Sequence, residues 1–387
     1  MNHSSYPTFT IKDIETIFEE QFSTATTAHL LWKGGESFEQ IFDAIKAAKV
    51  FICLQFYIFR NDDTGIRLAE LLQQKRRDGI SVYILYDHFG SFGTPRSFWK
   101  EMKNAGIRVR ASHPFKWTAP FRYVHRDHRK LVVIDCKKAF TGGLNIANEY
   151  SGFHFKTRGK VWRDTGILLE GPIVSRLLKS FKKSWYAWGG EKIEFPEDTL
   201  EERASGIPAM PVFVDSSKRR RRMRRLIYYS INHAKKCISL TTAYFTPSRR
   251  MVETLEAAIR RGVSVRLLVP GETDVPAASY AGKAFFSKLL NAGVEIYTYL
   301  GDILHAKTFV FDECWSIIGS TNLDFQSLRY NDEGNIGILD SDFASQMTKI
   351  FEEDLKQSPK IEKKGWSKRP LAEKLKEHFF SLFRRRL

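Results

Sequence analysis

The chain has 387 residues, 43% of them hydrophobic, and a formal net charge of +17. This length exceeds one ordinary core and suits two domains or one doubled domain, and the chain has no apolar run of about twenty residues that would span a membrane. Four scattered cysteines without a C-x-x-C pair argue against a disulfide framework, a zinc site and a redox motif. They are expected to be buried thiols in a reducing cytosol.

The first predicted elements lie near the N-terminus. Residues 1–27 are predicted to form an N-terminal extension that lacks the apolar core of a signal peptide. The segment Ser37-Phe38-Glu39-Gln40 has the pattern of a capping box, and apolar residues follow it at helical spacing. We therefore expect a helix that starts at Ser37 and buries its apolar side.

The next elements occur twice, about half a chain apart. Three blocks recur in the same order, each typical of a short buried strand. Amphipathic helices precede Gly79 and Gly262, so each glycine is predicted to end a helix directly before a strand. This alternation predicts a duplicated α/β fold in which helices cover a mixed or parallel sheet in each half. The blocks are 48–54, 79–85 and 104–109, with their counterparts 234–240, 262–268 and 291–296.

A polar, then turn-forming stretch from Glu201 to Pro208 indicates where the halves meet. The predicted domains are therefore a first half at 28–206, a second half at 207–360 and a basic amphipathic tail at 361–387.

A fourth repeated block carries the candidate chemistry. Each copy has the pattern H-x-K-x4-D, and a segment Gly-x-x-Asn follows after the same interval. A single H-x-K is commonplace, but the full pattern twice in register is a strong signal. The coinciding positions are His128, Lys130, Asp135, Gly142 and Asn145 in the first copy and His305, Lys307, Asp312, Gly319 and Asn322 in the second.

The spacing of this motif predicts a phosphate site. Residues i and i+2 of a strand face the same way, so each histidine is expected to project beside its lysine. The glycine turns allow close backbone approach, and Asn145 and Asn322 are predicted to present amide donors to phosphate. Such a site acts on a phosphoryl centre through charge, and no cluster with metal-ligand spacing is present in the sequence.

Two basic segments are candidate contacts for polyanions, which the net charge attracts without choosing between nucleic acid and anionic lipid. The cations at 218–225 would oppose the dipole of the helix that follows, which favours a binding role. The tail has the pattern of a helix lying on an anionic membrane, although a helix docked on its own domain is nearly as well supported. Its apolar face comprises Leu371, Leu375, His378, Phe379, Leu382 and Phe383.

The double motif resembles the phospholipase D superfamily, and its surroundings are most similar to the bacterial cardiolipin synthases. The resemblance covers nearly the whole chain. The sequence predicts no counterpart of the pair of N-terminal membrane-spanning helices usual in that family, and Gly143 stands where the superfamily pattern has serine. The segments that carry the resemblance are 55–60, 142–150, 162–165, 244–247, 305–308, 319–324 and 331–333.

The resemblance implies two pseudo-symmetric α/β/α halves with mixed sheets and a phosphohistidine intermediate. It implies that His128 is the nucleophile and that His305 is the general acid and then base, with the reverse assignment also open. Asp164 and Glu333, at matching strand starts, are predicted to orient the imidazoles. Asp135 and Asp312 are expected to hold local structure. The six motif residues of the predicted catalytic set are His128, Lys130, Asp135, His305, Lys307 and Asp312.

The implied reaction joins two phosphatidylglycerol molecules into cardiolipin and releases glycerol, without a cofactor, nucleotide or metal. The alternatives are a phospholipase D-type hydrolase and a nuclease acting on another phosphodiester. The expected partner is an anionic phosphatidylglycerol surface, while nucleic acid is not expected but stays open. The expected location is cytoplasmic, peripheral on the inner face of the cell membrane.

Overall fold

The computed structural model describes residues 8–115, 125–153, 161–193 and 206–384. It begins with helix α1 (Ile11–Phe18) and strand β1 (Ser23–Ala25). β1 pairs antiparallel with the first strand of the second half, β9 (Ile207–Val214), so the predicted N-terminal extension packs on the second half. The predicted junction of the halves falls partly on residues 194–205, which lie outside the described residues.

The first half forms a mixed seven-stranded sheet. Its strands are β2 (Thr27–Leu31), β3 (Phe51–Phe56), β4 (Ser81–Asp87), β5 (Arg108–Ser112), β6 (Leu131–Ile134), β7 (Lys138–Gly142) and β8 (Gly166–Glu170). Its helices are α2 (Gly34–Lys46), α3 (Asp63–Arg77), α4 (Arg96–Asn104), α5 (Asn148–Ser151) and α6 (Ile173–Ala187). The strand order is β2-β8-β7-β6-β3-β4-β5.

The second half repeats this arrangement in an eight-stranded sheet that includes β1 and β9. Its other strands are β10 (Cys237–Thr241), β11 (Ser264–Pro270), β12 (Glu295–Tyr299), β13 (Thr308–Phe311), β14 (Trp315–Gly319) and β15 (Glu333–Leu339). The helices are α7 (Ser217–His233), α8 (Arg249–Arg260), α9 (Pro276–Lys283), α10 (Phe286–Ala292), α11 (Phe325–Arg329), α12 (Ser341–Leu355), α13 (Lys363–Ser367) and α14 (Leu371–Leu382). The order is β1-β9-β15-β14-β13-β10-β11-β12.

The repeated sequence blocks form equivalent elements of the two sheets. β3, β4 and β5 are parallel to one another, as are β10, β11 and β12, whereas the remaining neighbours are antiparallel. Gly79 and Gly262 follow α3 and α8 with φ of 88° and 85°, the left-handed conformation that ends a helix at low cost for glycine. The predicted duplicated α/β fold with mixed sheets is confirmed.

The predicted start of α2 is wrong by three residues. The helix begins at Gly34, and the hydroxyl of Ser37 donates to the carbonyl of Lys33 instead of capping the helix. A Cβ atom at Gly34 would overlap the carbonyl of Tyr150, so only glycine allows the helix to begin this close to its neighbour. The packing of the helix start therefore outweighs the capping-box pattern.

A hydrophobic core common to both halves lies between the two sheets. Leu131 and Ile167 of the first sheet belong to the same buried cluster as Ile318 and Ile336 of the second, together with residues of α6 and α12. The halves therefore bury apolar surface against each other as well as within themselves. Within the four described ranges, no helix has both the length and the apolar content needed to cross a bilayer.

The basic cluster at 218–225 lies at the start of α7 and faces acids of the same chain. Arg219 donates to Glu20 at 2.7 Å, Arg222 pairs with Glu19, and Arg220 donates to Asp332 at 3.0 Å. These three arginines hold α1 and the second sheet against α7. Their contacts are structural, and the binding role predicted for the cluster as a whole stays a prediction.

Asp135 and Asp312 occupy tight turns between antiparallel strands. Asp135 and Cys136 have φ of 52° and 54°, the conformation of a two-residue type I′ turn, and Asp312 has φ of 51° in the equivalent turn. The carboxylate of Asp135 accepts three backbone N–H groups at the start of β3, at 2.7–2.9 Å. Asp312 does the same at the start of β10, at 2.7–3.0 Å.

Replacing Asp135 by alanine removes the acceptor of three backbone N–H groups. We expect the free energy of unfolding to fall by about 2 kcal/mol, as for hydrogen bonds to a charged group. Turnover per folded molecule should stay unchanged, because the turn lies away from the histidines. Urea denaturation measures the effect, with Asp78→Ala, which removes an exposed carboxylate, as the control. An unchanged denaturation midpoint in Asp135→Ala would contradict the structural role.

Candidate active site

The two motif histidines lie at matching positions in the two halves. His128 and Lys130 directly precede β6, and His305 and Lys307 directly precede β13. The predicted location inside the strands is therefore wrong, because the regular pairing of each strand begins only after its lysine. The motif residues lie instead in extended segments that reach the opposite half of the chain.

These extended segments pair with the backbone of the other half. The N–H of His128 donates to the carbonyl of Asp332 at 2.8 Å, and the N–H of Asp332 donates to Arg126 at 2.8 Å. In the equivalent position, the N–H of His305 donates to the carbonyl of Arg163 at 2.7 Å. Each histidine backbone is thus fixed by a short bridge across the boundary between the halves.

Each imidazole also contacts a carboxylate of the opposite half. Nδ1 of His128 lies 3.1 Å from Oε2 of Glu333, and Nδ1 of His305 lies 2.6 Å from Oδ2 of Asp164. The sequence pointed to these two carboxylates, but not to their crossing between halves. A carboxylate on Nδ1 fixes the tautomer and the ring plane, so Nε2 is the nitrogen left for chemistry.

Both carboxylates are themselves held in place. Ser320 donates its hydroxyl to Glu333, and Nδ2 of Asn331 lies 3.4 Å from the other oxygen of the same carboxylate. Asp164 accepts the backbone N–H of Thr165 at 2.7 Å. All of these contacts are buried, so solvent competes little for them.

The glycine at position 143 has a steric reason. In the second half the equivalent residue is Ser320, whose hydroxyl bonds to Glu333. In the first half a Cβ atom on Gly143 would overlap the carboxylate of Asp164. The shorter aspartate therefore occupies the space that a serine side chain takes in the second half.

The two histidines line one cavity of about 310 Å³. Aromatic rings surround them: Tyr57 lies 4.9 Å from His128, and Trp162 lies 5.0 Å from His305 between ring centroids. Tyr150 is 5.5 Å from His305 in an edge-on arrangement. Both imidazoles are also largely buried, with exposed fractions of 8% for His128 and 3% for His305, so their electrostatic interactions are screened less than in water.

The two motif asparagines line this cavity, and the side-chain carbonyl oxygen of each accepts a backbone hydrogen bond. Oδ1 of Asn145 accepts the N–H of Ile58 at 3.0 Å, and its Nδ2 donates to the hydroxyl of Tyr150 at 2.8 Å. Oδ1 of Asn322 lies 3.3 Å from the N–H of Tyr244. Within the described part of the chain, Nδ2 of Asn322 has no hydrogen-bond acceptor, so it is the amide donor most open to a ligand.

Each motif lysine contacts the histidine of its own half. Nζ of Lys130 donates to the carbonyl of His128 at 2.7 Å, and Nζ of Lys307 donates to the carbonyl of His305. Lys307 also lies 2.6 Å from Nδ1 of His305, the nitrogen that contacts Asp164. Nδ1 can carry a proton toward Asp164 or accept from Lys307, but it cannot do both at once.

Burial and the lysines depress the pKa of both imidazoles. Desolvation and then the charge of Lys307 lower the pKa of His305 to about 4, while Asp164 opposes this shift. Desolvation and Lys130 lower the pKa of His128, while Glu333 opposes this shift. The depression leaves both rings predominantly neutral at pH 7.

The buried lysines and carboxylates are shifted as well. Desolvation lowers the pKa of Lys130 to about 7 and that of Lys307 to about 8. Burial opposes ionisation of Asp164 and Glu333, but the nearby cations outweigh it and lower the pKa of both carboxylates. Lys130 and Lys307 lie behind the histidines and do not line the cavity, and an anion bound in the cavity would favour their charged forms.

Comparison with known proteins identifies the family. The family described as "Cardiolipin synthase, PLD-like domain" matches residues 41–185 and 227–355, which include both motifs. The chain belongs to this family. It is therefore an enzyme of the phosphatidyltransferase class within the phospholipase D superfamily.

Curated relatives agree with this assignment, and a solved structure shares the fold. The chain is 33% identical to "Cardiolipin synthase 2" of Bacillus anthracis, over 93% of this chain and 70% of that protein. It is 32% identical to "Probable cardiolipin synthase YwiE" of Bacillus subtilis, over 93% and 72%. The fold resembles phosphatidylserine synthase of Haemophilus influenzae with a TM-score of 0.76 at 13% identity, covering 97% and 100% of the two chains.

Several residues of the cavity were not predicted as site residues. Tyr244 lines it and donates its hydroxyl to Asp274 at 2.7 Å, and Asp324 lies beside Asn322 with its pKa raised to about 7, mainly by burial. Tyr57 and Tyr244 each follow the first central strand of their half. Their positions differ by one residue in the repeat, because the counterpart of Tyr244 is Ile58: the N–H groups of these two residues bind the two motif asparagines. Asp135 and Asp312 do not line this cavity.

The packing of Gly143 against Asp164 yields a test of this family site. We expect Gly143→Ala to push the Asp164 carboxylate away from His305 and to reduce kcat by at least about tenfold, because an imidazole loses its oriented partner. Gly93 has no atom within 4 Å of a Cβ position, so Gly93→Ala is the matched control. Steady-state kinetics and thermal unfolding measure both variants; normal kcat in Gly143→Ala would show that this contact is dispensable.

Proposed function

We propose that this chain transfers the phosphatidyl group of one phosphatidylglycerol to a glycerol hydroxyl of a second, yielding cardiolipin and glycerol. The observation that carries the proposal is the pair of imidazoles in one cavity, each with a carboxylate of the opposite half on Nδ1. The names of the relatives, which are cardiolipin synthases, support the choice of lipid.

In the first proposed step, Nε2 of His128 attacks the phosphorus of the donor lipid. The bond between phosphorus and the headgroup glycerol oxygen breaks, and His305 gives its proton to that oxygen. Glycerol leaves, and a phosphatidyl group remains bonded to His128. The reverse assignment of the two histidines stays open, because each ring has a carboxylate of the opposite half on Nδ1.

In the second proposed step, the headgroup of another phosphatidylglycerol enters. Its hydroxyl gives a proton to His305, the oxygen attacks phosphorus, and the bond to Nε2 of His128 breaks. The proton that His305 supplied in the first step is thereby restored. The two steps balance without a cofactor.

The lysines and asparagines are proposed to hold the phosphate oxygens. Lys130 and Lys307 are almost fully buried beside the two rings, so their charge acts at low dielectric on the transition state. A bound phosphodiester anion raises the pKa of both lysines and of the general acid. Substrate binding therefore favours the protonated His305 that the first step requires.

Transfer in preference to hydrolysis requires that water be excluded from the phosphohistidine. The rings of Tyr57, Tyr150 and Trp162 surround the histidines, which supports such exclusion. Because both substrates are membrane lipids, we propose that the enzyme works at a phosphatidylglycerol-containing surface, peripherally on the cytoplasmic face of the cell membrane.

Incubation with phosphatidylglycerol vesicles, without added metal or nucleotide, tests the reaction. We expect cardiolipin and glycerol in equal amounts by mass spectrometry, and a rate lowered about 10²- to 10⁴-fold or more in His128→Ala. The exposed His29→Ala on β2 is the matched control and should stay active. Phosphatidic acid without cardiolipin would indicate a hydrolase, and cleavage of nucleic acid without lipid turnover would indicate a nuclease.

The roles of the histidines can be assigned from the pH profile of kcat. Asp164 raises the pKa of His305, so Asp164→Asn lowers that pKa. In the proposed substrate complex the phosphodiester anion sets the pKa of the general acid above that of the nucleophile, so the alkaline limb should move to lower pH. Glu333 raises the pKa of His128, so Glu333→Gln should instead move the acid limb to lower pH. The exposed Glu36→Gln is the control. If Asp164→Asn instead moved the acid limb and Glu333→Gln moved the alkaline limb, the roles of His128 and His305 would be reversed.

A further inference from the structure

A second cavity, of about 560 Å³, lies on the other side of α11 from the active site. Gln326 and Ser327 of this helix line the active-site cavity, whereas Phe325 and Arg329 line the second one. The second cavity, named here the arginine cavity, is lined by Ser248, Arg249, Arg250, Phe325, Arg329, Tyr330 and Arg384.

The lining of the arginine cavity is strongly basic. Four of its seven lining residues are arginines, and none of the seven is an acid. The guanidinium of Arg250 lies over the ring of Tyr228 at 4.7 Å, and that of Arg329 over Phe325 at 5.3 Å. Among the described residues, no carboxylate lies within 4.0 Å of Arg249, Arg250 or Arg329, in contrast to the paired arginines at the start of α7.

The field of this cluster reaches its neighbours. Burial and then the charge of Arg329 lower the pKa of the adjacent Arg224. Arginines that converge in this way repel one another unless an anion lies between them. Guanidinium groups bind phosphate oxygens well, because their planar donors match two oxygens at once.

An apolar ridge on α14 leads to the same cavity. Leu371, Leu375, Phe379 and Leu382 share one face of the helix and are 55–76% exposed. The opposite face is firmly packed: Phe380 stacks on Tyr280 of α9 at 5.7 Å, and the buried Glu377 pairs with Arg369 at 2.6 Å. The ridge is therefore a fixed feature of a docked helix.

The ridge, the arginine cavity and the active site are neighbours. Arg384 lines the arginine cavity and follows Leu382, the last of these ridge residues, by two positions. Helix α9 packs on α14, and Val275 and Ala278 at its start line the active-site cavity. Helix α9 thus separates the active site from the ridge, and helix α11 separates the active site from the arginine cavity.

We propose that the arginine cavity and the α14 ridge together form the docking surface for an anionic bilayer. A phospholipid phosphate occupies the arginine cavity, and the ridge enters the acyl chains beside it. The inference rests on the proposed function for the choice of phosphatidylglycerol as the anionic lipid. A bilayer matches both features, because it presents phosphates directly above apolar chains, whereas nucleic acid offers no counterpart to the ridge.

Docking in this position places a headgroup one helix away from the histidines. The basic cavity would attract the anionic surface, and the ridge would fix the depth and tilt of the enzyme on it. Lipids could then enter the active-site cavity without leaving the bilayer for water. The surface thereby supplies the orientation that a lipid-transferring enzyme needs.

Vesicle sedimentation with paired variants tests the docking surface. Arg249→Glu/Arg329→Glu should lower partition onto phosphatidylglycerol vesicles at least about tenfold, since each cation near an anionic surface contributes appreciably. Arg96→Glu/Arg260→Glu changes the net charge equally at exposed sites elsewhere and should bind nearly as the wild type does. Leu375→Ser/Phe379→Ser should also lower binding about tenfold, whereas Val50→Ser/Ile66→Ser, exposed apolar residues elsewhere, should not.

Turnover of detergent-dispersed phosphatidylglycerol separates docking from catalysis. The arginine and ridge variants should keep wild-type rates on dispersed lipid and lose activity only on vesicles. Wild-type binding to vesicles without cardiolipin formation would refute the proposed function and leave docking intact. The docking proposal would be overturned if the wild type did not bind vesicles or if the control pairs lost binding equally. It would also be overturned if the ridge variant only dissociated a dimer, because the ridge would then be an interface between two copies of the chain.

Discussion

Each catalytic-site histidine is held by the opposite half of the chain, through both its backbone and its ring. The N–H of each histidine donates to a carbonyl across the boundary, and Nδ1 of His128 and of His305 contacts Glu333 and Asp164, respectively. The relative position of the two rings therefore depends on how the sheets pack against each other. The shared core between the sheets sets that position, so its apolar packing contributes to the geometry of the site.

The duplication is not exact at the site, and the difference lies in the carboxylate environment. Glu333 is shared between His128 and the hydroxyl of Ser320, whereas Asp164 occupies the space that a side chain at Gly143 would need. The contact of Asp164 with its histidine is the shorter of the two, 2.6 Å against 3.1 Å. Two-step transfer uses two imidazoles in different protonation states. Unequal surroundings are the usual physical means of giving two such groups different pKa values.

Most of the fold was predictable because the same blocks occur twice in the same order, so each half supports the reading of the other. Of the residues in the double motif, the two histidines and the two asparagines line the cavity, whereas the lysines and the motif aspartates do not. The crossing of the carboxylates was not predictable, because Asp164 and His305 lie 141 positions apart and spacing relates residues of one half only. The start of α2 was mispredicted for a related reason: Gly34 is required by contact with Tyr150, a distant neighbour that no local pattern reports.

Because each imidazole contacts a carboxylate of the opposite half, the formation of the site also depends on the folding of both halves. A half of this chain taken alone would carry a histidine without its acid and a buried acid without its histidine. Both contacts between imidazole and carboxylate form only when the two halves have packed against each other. In the proposed mechanism, a chain whose halves have not yet packed therefore lacks both oriented imidazoles and would not attack phosphodiesters.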